Sequence, residues 1–178
     1  MRYTQIRSMD ISNGEGVGAS LFVQGCPFRC FNCFNSETWD FNGGKEWTEE
    51  VKNKFMELIN KPYITRVSIL GGEPLADKNV SDVLNLLNEI RISYPDKKIW
   101  LYTGYTIEEI IVPMYINTPM SNEEIARIKI LSSIDILVDG KFIYDQRDMN
   151  LHFRGSKNQR VIDVSKTSEQ KKIILYCE

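Results

Sequence analysis

The sequence predicts an α/β fold in which parallel strands, joined by crossover helices, curve into an open partial barrel. Three observations carry this. Short apolar, β-rich runs begin at Arg66, Lys98 and Ile134, so successive starts lie 32 and 36 residues apart, room for one strand, one helix and two turns. Between the runs, apolar residues fall at helical spacing. Each run also stops abruptly at a turn: Gly71-Gly72, Thr103-Gly104 and Gly140. A βα unit repeating at this period requires parallel strands with right-handed crossovers. A closed eight-stranded barrel takes about 250 residues. A chain of 178 residues therefore predicts five or six strands, with 1–178 as one domain.

The elements follow in order. Residues 3 to 11 alternate weakly and lead into the turn Ser12-Asn13-Gly14, before an apolar strand from Ser20 to Val23. Gly14 to Ala19 matches the dinucleotide pattern G-x-G-x-x-A, but it precedes a strand and opens no helix, so a glycine-rich turn is the better reading. From Thr48 to Asn60, Val51, Phe55, Leu58 and Ile59 share one helical face, and Glu49 and Glu50 suit the positive end of the dipole. Arg66 to Leu70 is a strand. Val80, Val83, Leu84, Leu87 and Ile90 mark a second helix that Pro95 ends, and Lys98 to Tyr102 is the next strand. Ser121 and Glu124 have capping-box spacing and open a further helix through Ile125 and Ile128, ahead of the strand Ile134 to Val138. Beyond Arg160 the pattern fades: Val161 to Val164 and Ile173 to Tyr176 read as strands, in a lysine-rich tail expected to be poorly ordered.

Composition narrows the function. The chain is 42% hydrophobic, enough for a real core, and its 22 basic and 24 acidic residues leave a net charge of -2. No long block of one sign is present to attract nucleic acid or an anionic membrane. The apolar stretch Ile110 to Ile116 is interrupted by Pro113 and is too short to span a bilayer. The amino terminus MRYTQIRSMD does not resemble a secretion signal. A soluble protein of the reducing cytoplasm is expected, with disulfides disfavoured.

Three of the four cysteines stand in one loop, QGCPFRCFNCFN, where Cys26, Cys30 and Cys33 have the spacing Cys-x3-Cys-x2-Cys. Three clustered thiolates fit a 4Fe-4S cluster whose fourth iron stays open to a ligand. A structural zinc site is the alternative. It needs four ligands in closed geometry, and the fourth would be Cys177 or His152, far along the chain.

The cysteine motif after one apolar strand, followed about forty residues on by Gly71-Gly72-Glu73-Pro74 after another, resembles the radical S-adenosylmethionine (SAM) enzymes. More narrowly, the chain is similar to the small glycyl-radical activases that serve anaerobic ribonucleoside-triphosphate reductase. The matching pieces are Asn13-Gly14 with Gly16, the cysteine loop with Asn35 and Thr38-Trp39, Gly71 to Leu75, Thr103-Gly104-Tyr105, Val138 to Phe142, Arg154-Gly155-Ser156 and Asn158-Gln159. They cover roughly residues 3 to 160. Two departures are Asn32, where many such enzymes carry an aromatic residue, and the long stretch Val112 to Lys129.

The resemblance implies a radical SAM partial barrel with its site at the carboxyl ends of the strands, where ligands of such sheets bind. Cys26, Cys30 and Cys33 would hold one 4Fe-4S cluster, through which SAM is cleaved reductively. The Gly72 carbonyl and Glu73 carboxylate would accept from the SAM ammonium, with Gly71 and Pro74 in the same loop. Asn32 and Phe34 of the cysteine loop, Thr103 near the ribose, and Asp139 with Lys141 complete the implied cofactor site. The partners implied are the glycyl-radical subunit of the reductase and a flavodoxin-like electron donor. The competing enzyme reading is a small-molecule radical SAM enzyme such as a 7-carboxy-7-deazaguanine synthase, which shares the cysteine loop and GGEP but not Thr103-Gly104-Tyr105, VDGKF or RGSKNQ. His152 reads as structural or partner-facing, and Trp39, Trp47 and Trp100 as packing residues.

Overall fold

The computed structural model describes residues 1–177 and is an α/β protein of eight strands and five α-helices. One mixed sheet contains all the strands: β1 (Arg2–Asp10), β2 (Gly18–Val23), β3 (Lys45–Glu46), β4 (Arg66–Gly71), β5 (Lys98–Tyr102), β6 (Ile136–Asp139), β7 (Arg160–Asp163) and β8 (Leu175–Cys177). They lie in the order β3-β1-β2-β4-β5-β6-β7-β8.

The expected parallel repeat is the middle of this sheet. β2, β4, β5 and β6 pair in parallel, with Ser20 beside Ser68, Ser68 beside Trp100 and Trp100 beside Ile136. The flanks correct the expectation of five or six parallel strands. β1 and β3 add antiparallel strands on one side, and β7 and β8 on the other. Antiparallel neighbours need no crossover helix, so they leave no trace at the βα period. The two edge strands are two and three residues long, which limits the edge offered to another chain.

The helices are α1 (Glu49–Ile59), α2 (Asp77–Ser93), α3 (Ile107–Ile111), α4 (Asn122–Leu131) and α5 (Val164–Gln170). Thr48 caps α1 by accepting from the Val51 N–H at 3.3 Å. The Ser121–Glu124 capping box of α4 has both of its bonds, at 3.1 and 2.7 Å. A second box, Thr106–Glu109, opens α3. The tail is ordered rather than loose: Val164 begins α5, capped by Asp163, instead of ending a strand, and β8 follows.

Alternation along the strands divides the sheet into two faces. Ala19, Leu21, Val67, Ile69, Ile99, Leu101, Leu137 and Ile162 point to one face, where the helices add Phe55, Ile59, Val83, Leu87, Ile90 and Ile130 to the main core. Trp100, Ile136, Val138 and Val161 point to the other and form a smaller cluster with Tyr102, Phe153 and Tyr176. No helix among the described residues is long and apolar enough to cross a membrane.

Candidate active site

The cysteine loop leaves β2, the Gly71 to Pro74 loop leaves β4, the Thr103 loop leaves β5 and the Gly140 loop leaves β6, all at the carboxyl ends of the parallel strands. Together with residues 148 to 159 they wall a cavity of about 670 Å3. Cys26, Cys30, Cys33, Phe34, Gly71, Gly72, Glu73, Thr103 and Lys141 all line it. Asn32, Pro74 and Asp139 do not; Asn32 instead takes a left-handed backbone conformation (φ 52°) that helps curl the cysteine loop.

The loops are joined chiefly through backbone. The Gly72 N–H donates to the Val23 carbonyl at 2.9 Å and the Glu73 N–H to the Gly25 carbonyl at 2.8 Å, which ties the GGEP loop to the start of the cysteine loop. The approach explains the glycine pair. Gly71 has φ +106°, and a Cβ on Gly72 would lie 2.5 Å from the Gly25 carbonyl oxygen. Asn79, buried on the first turn of α2, donates to the carbonyls of Gln24 and Glu73 at 3.0 and 2.9 Å and clamps both loops from behind.

Glu73 is 1% exposed, and its carboxylate accepts from the Leu75 N–H (2.9 Å), the Thr103 hydroxyl (2.7 Å) and the Gly104 N–H (2.7 Å). Burial pushes its carboxyl up to about 7, against the pull of those three donors. The side chain thus ties the β4 loop to the β5 loop. The single bond to Oε2 leaves acceptor capacity toward the cavity.

Burial likewise raises the Cys26 thiol to about 11, with the nearby charges of Glu73 and Cys30 adding to the effect. Cys30 is raised by burial and then by Cys33. Among the described residues, no three His, Cys, Asp or Glu side chains converge closely enough to hold a single metal ion. Nor do Cys177 and His152 wall the cavity, so neither stands where a fourth zinc ligand would be needed. Lys141 lies over the Phe28 ring at 4.7 Å.

Asp139 turns away from the cavity and accepts from the Ile107 N–H at 2.9 Å and the Arg160 Nε–H at 3.0 Å. Arg160 also grips Glu108 with two bonds, at 2.9 and 2.6 Å, and that pairing draws the Glu108 carboxyl down to about 2. The cluster fixes the start of α3 against β6. Of the tryptophans, Trp47 and Trp100 pack as expected, whereas Trp39 lines the cavity.

Sequence reasoning missed Asn79, Tyr102, Arg154 and Arg160. The first had a signal: a polar residue on the apolar side of an amphipathic helix. Tyr102 ends the parallel strand β5 and lines the cavity from there, Arg154 reaches the cavity only through the 140–159 connection, and Arg160 meets Asp139 only through the antiparallel strand β7.

The sequence matches a family described as "4Fe-4S single cluster domain" over residues 12–162. Proteins named anaerobic ribonucleoside-triphosphate reductase-activating protein resemble it along nearly their whole length. The one from Salmonella typhimurium is 39% identical and that from Escherichia coli K12 37% identical, each over 90% of this chain and 97% of its own. The one from Enterobacteria phage T4 is 32% identical over 90% of this chain and 93% of its own. The chain belongs to this activating-protein family. As a member, it carries its three clustered cysteines within the matched region, and Cys177 outside it.

Proposed function

We propose that the chain is the activating enzyme of an anaerobic ribonucleoside-triphosphate reductase, working as one radical SAM domain whose parallel strands β2, β4, β5 and β6 form the arc of a partial barrel. The observation that carries this reading is the meeting of Cys26, Cys30, Cys33, Gly72, Glu73 and Thr103 on one cavity wall. Cys26, Cys30 and Cys33 would hold a 4Fe-4S cluster, the group named by the family that residues 12–162 match. When bound, the cluster supplies one electron that splits the sulfonium of SAM into methionine and a 5′-deoxyadenosyl radical, which takes a hydrogen atom from a glycine of the reductase.

The chain's residues orient and shield. The rim around Gly71, Gly72 and the free side of the Glu73 carboxylate receives the ammonium of SAM. Thr103 and Lys141 serve the rest of the molecule, with Phe34 at the cysteine end. Asn32, Pro74 and Asp139 act from behind the wall, by shaping the loops that bear the contacts. A flavodoxin-like protein of the cytoplasm would supply the electron.

Anaerobic mixing of the reduced, cluster-loaded chain with SAM and the reductase should give the electron paramagnetic resonance doublet of a glycyl radical, with near-equal methionine release. Cleavage of SAM without a doublet on any such reductase, alongside consumption of a pterin-like compound, would replace this reading with the small-molecule one. A colourless protein after anaerobic purification would point to zinc.

A further inference from the structure

Asn79 is the third residue of α2, and its side chain is a buried amide on an otherwise apolar side of that helix. Val80, Val83, Leu87 and Ile90 hold α2 in the main core, which makes Asn79 a fixed point from which the loops are gripped. Stability alone does not call for an amide there. Asn is a poorer helix former than Leu or Ala, and burying an amide costs free energy unless its hydrogen bonds are made.

The amide has two N–H bonds and holds two loops. Its Nδ2 donates to the Gln24 carbonyl, at the start of the cysteine loop, at 3.0 Å and to the Glu73 carbonyl at 2.9 Å. Carbonyls only accept, which fixes the amino end of the amide toward them. The cysteine loop does not need this grip to close. The Gly25 and Cys26 N–H groups donate to the carbonyls of Thr38 and Trp39, and the buried Gln24 side chain donates to those of Asp40 and Glu37 at 2.7 and 3.2 Å. What Asn79 adds is the placement of that closed loop relative to GGEP.

SAM has to meet both loops at once, with its amino-acid end at the cluster carried by the cysteines and its ammonium at Gly72 and Glu73. A ligand that spans two loops gains fully from both only where their separation is preset; otherwise binding has to order the loops itself. We infer that Asn79 is a positioning residue for SAM, holding the cysteine and GGEP loops in one register so that a single molecule reaches both. The inference rests on the radical SAM reading of the cavity and adds to it a residue that does not line the cavity.

Asn79→Ala removes both donors, and Asn79→Asp keeps the shape while exchanging the amino group for a carboxyl oxygen. Alanine is the best helix former, so α2 should stand in the first variant. In both variants the iron content and the electron paramagnetic resonance spectrum of the reduced protein without SAM should match the parent's. The dissociation constant for SAM, measured by calorimetry, should rise about tenfold, the worth of one to two ordinary hydrogen bonds. The change that SAM induces in the spectrum should move to correspondingly higher SAM concentrations. A SAM affinity within about twofold of the parent's in both variants would overturn the inference. So would a lost or altered spectrum without SAM, which would make Asn79 a support of the cysteine loop alone. A parent chain that holds iron but binds no SAM would overturn the radical SAM reading, and this inference with it. A parent that binds SAM no more tightly than the variants would overturn the inference alone.

Discussion

Along β2, β4, β5, β6 and β7 the side chains alternate between the face under the helices and the face under the 140–159 connection, and both faces bury side chains. Under the helices, what is buried is aliphatic: Leu21, Val67, Ile69, Leu101, Leu137 and Ile162. On the opposite face the same strands bury Ser20, Arg66, Ser68 and Trp100, with Tyr102 partly buried beside them. Arg66 shows what that costs. Both it and Asp10 have side chains only 1% exposed, 3.8 Å apart, and the guanidinium is held further by the carbonyls of Asn13 and Glu15 at 2.6 and 3.1 Å. The helical face is built for stability, whereas the other spends stability on polar groups that shape the wall at Ser12 and Asn13.

Substitutions on each side should separate these roles. The largest effect is expected at the rim. Cys30→Ala should abolish iron loading and glycyl radical formation while leaving the thermal midpoint close to the parent's, and a full iron content in that variant would remove Cys30 from the ligand set. Arg66→Met should cost about 3–5 kcal/mol in denaturant titrations, because it strands a buried carboxylate and several carbonyls. A loss below about 1 kcal/mol would mean that the polar face is less dry than its burial implies.

Leu101→Ala, one residue from Tyr102 but on the helical face, should cost about 2–5 kcal/mol from lost burial and the cavity left behind. Its SAM affinity should match the parent's once folded; a large loss there would show that the faces are not independent.

The smallest effect is expected at Glu108, half exposed beside Arg160. Its folded carboxyl is held at about 2 against an ordinary 4.5, so its contribution is complete above about 4.5 and is lost as pH falls toward 2. Glu108→Gln should therefore cost less than about 1 kcal/mol at neutral pH, after allowance for solvent screening. The gap between the two proteins should close between pH 4.5 and 2. A gap constant across that range would assign the loss to packing.

How much of this was legible in the sequence followed from locality. The strands at Arg66 and Lys98, the capping box at Ser121 and the cysteine loop each announce themselves within a dozen residues. Their meeting at one rim followed from the parallel period. β3 did not announce itself and β1 showed only weak alternation, because antiparallel strands at the flank of a sheet are fixed by partners distant in sequence and need no connecting helix. The same distance hid Arg160 beneath Asp139, which read as a cavity residue until its carboxylate was seen turned toward β7 and α3. Glu73 could be read from the GGEP loop and does line the cavity, but its three internal donors lie at Leu75, Thr103 and Gly104, and two of them are on another loop.

None of the three cysteines belongs to either apolar cluster, and their loop is anchored at its start by Gly25 and Cys26, whose N–H groups donate to the carbonyls of Thr38 and Trp39 at 2.7 and 3.1 Å. The apolar core therefore packs without drawing on the cysteine side chains, and the fold should outlast the loss of a centre bound there, unlike small metal-organised domains that collapse when stripped. A centre lost to damage would then be one that can be refitted on a standing scaffold, and the working life of the protein need not end with that of its metal.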